Sequence, residues 1–393
     1  MKKDFLTYQA QTTPHPLALE ISHAKGSYIY TTSGKGYLDF VAGVSACTLG
    51  HSHPAVISAI KEQCDKYLHV MVYGEYAQHP AVTLTRLLAE QLPEPLEQTY
   101  LVNSGTEAID GAIKLARRST GRSQIIAAKK AYHGNTYGAL SLMDFKERVA
   151  PFEPVIGDVD FIEFNNTEQL QNITKRTAAV VLETIQGGAG FILPQNNYLK
   201  RVKERCEEVG ALLVLDEIQP GFGRTGKLFG FQHFDVVPDI LVMGKGMGGG
   251  MPIGAFTSSI ARMQLLSDKP KLGHITTFGG HPVIAAAALA TLNELLATDL
   301  ISQTLEKEKL FRELLKHDLI EEIRGKGLML TAILPEAEIA DKVILACQEA
   351  GLILFWLLFE GRALRITPPL TISTDEIKEG CEILLDVLNT VNQ

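Results

Sequence analysis

The sequence contains little tryptophan and little cysteine. Only one of its 393 residues is tryptophan, and its five cysteines are scattered along the chain with no CxxC spacing. Cysteines distributed in this way are typical of free thiols in a reducing compartment. The sequence therefore predicts a cytoplasmic protein.

Long apolar runs and an excess of positive charge are also missing. The longest apolar runs, such as LILFWLLF at 352–359, are far too short to span a bilayer. The N-terminus has two lysines but no apolar segment after them, so a signal peptide is not expected. A net charge of −8 argues against nucleic acid or an anionic membrane as a partner. A composition of 46% hydrophobic and 21% charged residues is that of an ordinary soluble globular protein.

Short β-type segments alternate with helical segments through the middle of the chain. This alternation requires crossover connections, which predict a mostly parallel sheet covered on both faces. The pattern YIYTTSGKGYLDF at 28–40 suggests a hairpin, and helical stretches with short strands follow residue 281. The two chain ends are therefore expected to build one smaller domain. The predicted strands are TYLV, QIIAA, AAVVL, ALLVL and DILVM.

Chemically useful residues follow several of these strands. Glu183 follows AAVVL, Asp216 follows ALLVL, and Lys245 comes just after DILVM in a glycine-rich loop. Open parallel sheets bind ligands at the carboxyl ends of their strands, so these side chains should meet at one edge. Lys245 has little bulk around it to block a reacting carbonyl, although a flexible loop with a solvated lysine would have the same composition.

The turn after TYLV has the form of a phosphate site. Ser104, Gly105 and Thr106 offer backbone N–H groups and hydroxyls at the start of a helix, where a phosphate dianion is stabilised. The same residues also fit a simple helix N-cap with Glu107 in the first turn. Taken alone, the turn favours neither interpretation.

Three other kinds of site were weighed and are not predicted. LLVLDE resembles an acidic motif of nucleotide triphosphatases, but no Gly-Lys pair is followed by Ser or Thr. The GxGxxG pattern at 221–226 lacks the strand before it and the helix after it that a dinucleotide site needs. His51 and His53 could hold a metal, but no acidic cluster stands near them in the sequence. We therefore expect no metal.

Pyridoxal phosphate unites a phosphate site, a reactive lysine and a carboxylate at a strand end. The lysine amine condenses with the cofactor aldehyde, the helix N-terminus holds the phosphate, and the carboxylate pairs with the ring nitrogen. Asp216 would be that carboxylate, and Gln219, three residues later, would reach the ring oxygen. Glu217 is expected to have a structural role.

At this point the chain resembles the class III aminotransferases of the fold type I pyridoxal-phosphate enzymes, close to the acetylornithine and ornithine aminotransferases. The resemblance implies an α/β fold with a mostly parallel central sheet in a large domain, residues 51–280. A smaller α+β domain would come from residues 1–50 and 281–393. The motifs that carry the resemblance are YLDFVAGVSACTLGHSHP, LVNSGTEAIDGAIKLA, AYHGNTYGALSL, ETIQGGAGF, LLVLDEIQPGFGRTG, GKGMGGGMPIGA, TTFGGHP and LRITPPLTI.

The resemblance also assigns individual residues. Tyr132 matches the aromatic residue that stacks on the cofactor ring, with His133 beside it, and Glu183 matches an acid near the ring nitrogen. Thr277 matches a threonine that reaches the phosphate in a neighbouring subunit, which implies a homodimer with shared active sites. Arg365 matches the arginine that binds a substrate carboxylate. The phosphate-turn, ring-binding and lysine positions match at Ser104, Gly105, Thr106, Asp216, Gln219 and Lys245.

Three positions depart from the acetylornithine and ornithine pattern. Asn135 stands where those enzymes typically have arginine, Gly188 where they have glutamate, and His281 where they have asparagine. The expected reaction moves an amino group, from an ω-amine, to a 2-oxo acid such as 2-oxoglutarate. Unless another arginine such as Arg148 or Arg362 compensates for Asn135, N-acetylornithine is expected to be a poor donor.

Two alternatives stay open at this stage. A mutase, racemase or decarboxylase on the same scaffold would keep every cofactor residue, and a non-catalytic protein that binds pyridoxal phosphate is a further possibility. Cys47 and Trp356 are assigned to packing.

Overall fold

The computed structural model describes residues 1–391, in which strands and helices follow one another from end to end. The strands are β1 (Ile21–Lys25), β2 (Tyr28–Thr31), β3 (Gly36–Asp39), β4 (Gln98–Val102), β5 (Gln124–Ala128), β6 (Val159–Ile162), β7 (Thr177–Glu183), β8 (Leu212–Asp216), β9 (Ile240–Gly244), β10 (Gly254–Ser258), β11 (Glu322–Lys326), β12 (Met329–Ile333), β13 (Leu352–Ile353) and β14 (Ala363–Ile366). The helices are α1 (Lys2–Tyr8), α2 (Ala42–Ser45), α3 (Pro54–Lys66), α4 (His79–Gln91), α5 (Gly105–Thr120), α6 (Tyr137–Leu140), α7 (Lys146–Val149), α8 (Tyr198–Val209), α9 (Ile260–Met263), α10 (Pro282–Ala297), α11 (Leu300–Leu314), α12 (Ala337–Ala350) and α13 (Thr374–Val391). Short 3₁₀ turns lie at Ala150–Phe152, Glu168–Asn172, Gly230–His233, Lys245–Gly248 and Gln264–Leu266.

The central sheet has seven strands in the order β4-β10-β9-β8-β7-β5-β6. The five strands from β9 to β6 run parallel, and β10 is antiparallel to both of its neighbours, β4 and β9. This is the predicted α/β architecture. Because β10 runs backwards, its first residue, Gly254, lies at the edge where β4 and β9 end, opposite Val102 and Gly244.

Side chains of each strand alternate between two apolar layers. On β8, Val214 belongs to the layer under α5, whereas Leu213 and Leu215 belong to the layer under α8. Both faces are buried, which explains why ALLVL has no polar residue before its end. Helix α5 lies close to the sheet because Gly111 has no side chain: a Cβ there would stand 2.4 Å from the Phe256 ring.

Most of the predicted elements are confirmed. The five predicted strands correspond to β4, β5, β7, β8 and β9. The predicted hairpin is the antiparallel pair β2 and β3. The sequence analysis did not single out β6 or β10. Strand β10 begins at a glycine directly after a glycine-rich loop, so its start carries no periodic signal.

The two chain ends meet in a smaller sheet. Strand β13 pairs in parallel with β3, which extends the N-terminal hairpin into a sheet of order β1-β2-β3-β13. A second small sheet has the order β11-β12-β14. We propose that residues 1–50 and 281–393 form the smaller domain, and the pairing of β3 with β13 supports this division. Helix α10 packs on α3 and α4 and so joins this part to the rest of the chain.

Helix length and hydropathy were also compared with the thickness of a bilayer. In residues 1–391, no single helix is long and apolar enough to cross a membrane. The bent pair α10 and α11, whose axes differ by 73°, is long and apolar enough by length and composition only.

Candidate active site

The predicted residues converge on one cleft of about 480 Å³ at the carboxyl edge of the central sheet. Of the residues predicted to bind the cofactor or the substrate carboxylate, together with Asn135, all line this cleft except Ser104, which directly precedes the lining residue Gly105, and Thr277. The selected lining residues are Gly105, Thr106, Tyr132, His133, Asn135, Glu183, Asp216, Gln219, Lys245 and Arg365.

The start of α5 forms one end of the cleft. Ser104 Oγ accepts a hydrogen bond from the Glu107 N–H over 3.3 Å, so Ser104 is the N-cap of the helix. Thr106 Oγ1 lies 2.7 Å from Thr136 Oγ1. Capping by a side chain satisfies only part of the first turn, whose other N–H groups have no partner inside the helix. The N-cap and the phosphate site are thus compatible, because the helix start faces the cleft at Gly105 and Thr106.

Asp216 ends β8 and faces His133. Its Oδ2 lies 2.8 Å from His133 Nδ1, both side chains are buried, and its Oδ1 accepts a hydrogen bond from the Ile218 N–H over 2.9 Å. Burial alone would lower the pKa of His133, but the hydrogen bond that its ring donates to Asp216 and the charges of Asp216 and Glu183 raise the pKa overall. The histidine thus compensates the buried carboxylate and fixes its orientation.

Glu183 ends the neighbouring strand, β7. Its carboxylate accepts hydrogen bonds from the Tyr132 N–H, over 3.0 Å, and from the Gly187 N–H, over 2.8 Å. Burial raises the pKa of Glu183 to about 7; the nearby Asp216 charge acts in the same direction, and His133 opposes it. Glu183 therefore holds two loops of the cleft wall in place.

Lys245 directly follows β9. Its φ angle is 42°, in the left-handed region that is unfavourable for residues other than glycine, so its backbone is held there by the surrounding structure. Burial and, after it, the positive charge of Arg365 lower the pKa of Lys245 to about 8, against the opposing effect of Asp216 and Glu183. A pKa near 8 leaves about a tenth of the amine neutral at pH 7, far more than an ordinary lysine has, and the neutral amine is the form that a nucleophile or a general base requires.

Arg365 lies on β14 at the opposite wall of the cleft. It is only 6% exposed, and its Nε and Nη1 atoms have no hydrogen-bond partner in residues 1–391. Its guanidinium carbon lies 5.8 Å from the centre of the Phe191 ring, and burial lowers the pKa of Arg365 to about 10. A buried cation without a partner is costly, so the site suits a carboxylate that would pair with it.

The outer wall of the cleft is apolar and aromatic. Val44, Phe355, Trp356 and Leu358 line it. The assignment of Trp356 to packing was therefore incomplete, since its ring faces the cleft while its Nε1 donates to Asp341 Oδ1 over 2.6 Å. The apolar run LILFWLLF in the sequence indicated an apolar segment. Which of its side chains line the cleft depends on the tertiary structure.

These residues fit pyridoxal phosphate. The helix start and Thr106 suit the phosphate dianion. The His133 and Asp216 pair places negative charge where a protonated ring nitrogen would be stabilised, and Lys245 offers an amine with a lowered pKa. Gln219, on the same side as Asp216, also lines the cleft. The unpartnered Arg365 adds a place for the carboxylate of a substrate.

The chain belongs to the class III aminotransferases, because the family model described as "Aminotransferase class-III" matches residues 8–388. The protein is therefore a pyridoxal-phosphate-dependent transaminase of fold type I, as the sequence analysis predicted.

The names of similar proteins refer to different amino-group donors. The acetylornithine aminotransferase of Methanopyrus kandleri is 38% identical over 93% of this chain and 92% of its own. The [LysW]-aminoadipate semialdehyde/glutamate semialdehyde transaminase of Sulfolobus acidocaldarius is 38% identical over 79% of this chain and 81% of its own. Among solved structures, the ornithine aminotransferase of Toxoplasma gondii superposes with a TM-score of 0.92 at 29% identity, covering 100% of this chain and 95% of that one.

Proposed function

We propose that the enzyme transfers the terminal amino group of an acetylornithine-like or ornithine-like donor to a 2-oxo acid such as 2-oxoglutarate. The observation that carries this proposal is the meeting of Lys245, the His133–Asp216 pair and the unpartnered Arg365 in one cleft. The names of the relatives support an amine at the end of a chain as the group that is transferred.

Each residue has a proposed task in holding the cofactor. The start of α5, with Ser104, Gly105 and Thr106, would bind the phosphate, and Tyr132 would pack on the ring. Asp216, held by His133, would meet the ring nitrogen, with Gln219 at the ring oxygen and Glu183 supporting the Tyr132 loop. Pyridoxal phosphate, when bound, supplies an aldehyde that takes up the amino group and a ring that accepts electron density from the substrate carbon.

The protein residues carry out the remaining chemistry. Lys245 is the covalent attachment point of the cofactor and, once displaced by the donor amine, the general base that moves a proton at the reacting carbon. Its pKa of about 8 keeps a usable share of the amine neutral. Arg365 orients the carboxylate of the 2-oxo acid through its free Nε–H and Nη1–H groups.

The enzyme is proposed to be a homodimer in which Thr277 reaches the phosphate site of the partner. Thr277 is exposed and does not line the cleft of its own chain. Apolar side chains around it are also exposed, among them Phe278 at 51% and Met71 at 39%. Such a patch on a globular protein suits an interface with a second copy. We place the dimer in the cytoplasm, and its five free cysteines support this.

A panel of donors and acceptors tests the proposal. The enzyme loaded with cofactor is mixed with 4-aminobutyrate, ornithine, lysine or N-acetylornithine, the cofactor absorbance is followed, and 2-oxoglutarate consumption is measured. We expect one mole of 2-oxoglutarate to be consumed per mole of donor. Turnover of a donor without consumption of a 2-oxo acid would instead indicate a mutase, racemase or decarboxylase, and no spectral change with any donor would indicate a non-catalytic binder.

Borohydride reduction followed by peptide mapping tests the assignment of the lysine. We expect the reduced cofactor on the peptide that contains Lys245, and no labelling in Lys245→Ala. The control is Lys130→Ala, since Lys130 is exposed and follows β5 on the same side of the sheet. Cofactor on any other lysine of the wild-type chain would contradict the assignment.

A further inference from the structure

The outer end of the cleft has no cation among the residues that line it. Of the basic residues that line it, His133 and Arg365 are buried and Lys245 is partly buried, whereas Asn135 is exposed and so stands at the outer end. Asn135 Nδ2 donates to the Tyr132 hydroxyl over 3.0 Å, so its amide is engaged within the wall. A carboxylate at the far end of a donor would therefore need a cation from outside the lining itself.

Arg148 is such a cation. It lies on α7, it is exposed, and in residues 1–391 its side chain forms no ion pair and no hydrogen bond. Its guanidinium carbon lies 6.0 Å from the centre of the ring of Phe359, the residue that follows the lining residue Leu358, so the guanidinium stands near the cleft. Burial raises the pKa of Tyr132, and the positive charge of Arg148 acts against this, as expected of a guanidinium close to the Tyr132 hydroxyl.

The other candidate, Arg362, is already occupied. It forms ion pairs with Glu321, at 3.1 Å, and with Glu360, at 3.2 Å. These carboxylates would have to be displaced before Arg362 could bind a substrate. Of the two arginines that could replace the charge missing at Asn135, only Arg148 is free to do so.

Gly188 explains why the stacking partner of Arg148 stands where it does. A Cβ at Gly188 would lie 2.9 Å from the Phe359 ring, and the Phe359 N–H donates to the Gly188 carbonyl over 2.9 Å. Phe359 thus fills the space that a side chain at 188 would occupy. An acid at 188 would both displace Phe359 and add a negative charge near Arg148. The glycine keeps the guanidinium supported and unpaired.

We propose that Arg148 is a specificity-determining residue, which binds the carboxylate at the far end of the amino donor in place of a cation from the cleft lining. This inference rests on the proposed aminotransferase function and narrows its donor class. The guanidinium forms two parallel hydrogen bonds with the carboxylate, and its contact with the Phe359 ring orients the guanidinium plane. The sequence analysis expected N-acetylornithine to be a poor donor unless another arginine compensates for Asn135. If Arg148 compensates, this poor use is expected only of a variant that lacks Arg148.

The test compares two donors that differ only at the far end. The carboxylate of 5-aminopentanoate is replaced by a methyl group in 1-aminopentane. In Arg148→Gln, KM for 5-aminopentanoate should rise about fivefold or more, the upper range for an exposed ion pair, while kcat stays unchanged. KM for 1-aminopentane should not change. Arg148→Lys, which keeps the charge but loses the fork, should fall between the wild type and Arg148→Gln.

A binding measurement provides a readout besides turnover. Trp356 is the only tryptophan and lines the cleft, so its fluorescence reports ligand binding there. We expect Arg148→Gln to weaken the binding of glutarate about fivefold or more and to leave that of butyrate unchanged, because butyrate needs only Arg365. Lys146→Gln removes the same charge from the same exposed helix and should match the wild type.

The two proposals fail in different ways. If the wild type transfers no amino group from any donor, the proposed function is refuted. If the wild type is active and the ratio of the two KM values is the same in Arg148→Gln and Lys146→Gln, the assignment of Arg148 alone is overturned.

Discussion

At the scale of single residues, Lys245 shows how burial sets the reactivity of a side chain. Its amine is desolvated beside Arg365, which lowers its pKa to about 8, while Asp216 and Glu183 partly oppose the shift. A lysine in water would be almost fully protonated at neutral pH and unable to attack an aldehyde. The charges of Arg365 and of the two acids therefore set how much of the reactive form is present.

This predicts the pH dependence of cofactor loading. Only the neutral amine attacks, so loading of the cofactor-free protein should speed up as pH rises and level off above a midpoint near pH 8. The rate of the absorbance change after adding pyridoxal phosphate measures this between pH 6 and 10. A rate that still rises steeply at pH 10, as it would for the ordinary lysine pKa of about 10.4, would show that the amine is not desolvated.

At the scale of elements, Glu217 ties the end of β8 to a separate turn. The side chain is fully buried and its carboxylate accepts hydrogen bonds from the Thr184 hydroxyl, over 2.6 Å, the Gly230 N–H, over 2.7 Å, and the Phe231 N–H, over 2.6 Å. Burial raises the pKa of Glu217 to about 7, and these donors act against the shift. The structural role expected for Glu217 is thus to hold the turn at Gly230–His233 against the sheet.

Replacing Glu217 with glutamine should destabilise the fold. Each carboxylate oxygen of Glu217 accepts a hydrogen bond from a backbone N–H. In glutamine one of these oxygens becomes an NH₂ group, which faces an N–H donor in either orientation of the amide. The free energy of unfolding should therefore fall by about 1–3 kcal/mol. Denaturant unfolding measures the change. Glu208→Gln serves as the control, because its exposed pair with Arg205 should contribute less than about 1 kcal/mol. Equal stability of the two variants would mean that the Glu217 contacts contribute little.

At the scale of the whole molecule, the exposed patch around Thr277 determines the expected assembly. His69 stacks on His281 at 5.3 Å and contacts Phe278 at 4.9 Å, so the segments near residues 70 and 278 form one continuous surface. Thr277 does not line the cleft of its own chain, so the role proposed for it at a phosphate site would need a second copy of the chain.

Light scattering should therefore give about twice the chain mass of 43.0 kDa. Phe278→Asp is expected to shift the enzyme toward monomers and to lower activity, since a charge placed in an apolar interface must be desolvated on association. Leu345→Asp is the control, because Leu345 is 48% exposed, close to the 51% of Phe278, but lies on α12. A monomeric wild-type enzyme with full activity would refute the shared active site.

The sequence by itself determined the class of the fold and the chemistry of the cleft. Strands such as ALLVL are buried on both faces, and their ends carry the polar groups, so local patterns place Asp216, Glu183 and Lys245 at one edge without any tertiary information. Gly105 and Thr106 follow from the same rule, because a turn from a strand to a helix has a fixed local geometry. The cofactor follows from the combination of these residue types.

The tertiary structure alone decided which distant residues meet. His133 and Asp216 are 83 positions apart and form a 2.8 Å contact that no local pattern encodes. Likewise, the sequence offered Arg148 and Arg362 equally, and only the packing shows that Arg362 is paired with two acids while Arg148 stacks on Phe359. The His133–Asp216 contact depends on the order of the strands in the central sheet, and the contact of Arg148 with Phe359 depends on how the C-terminal part packs against that sheet. That packing is set by the sum of many long-range interactions, which single-segment periodicity does not contain.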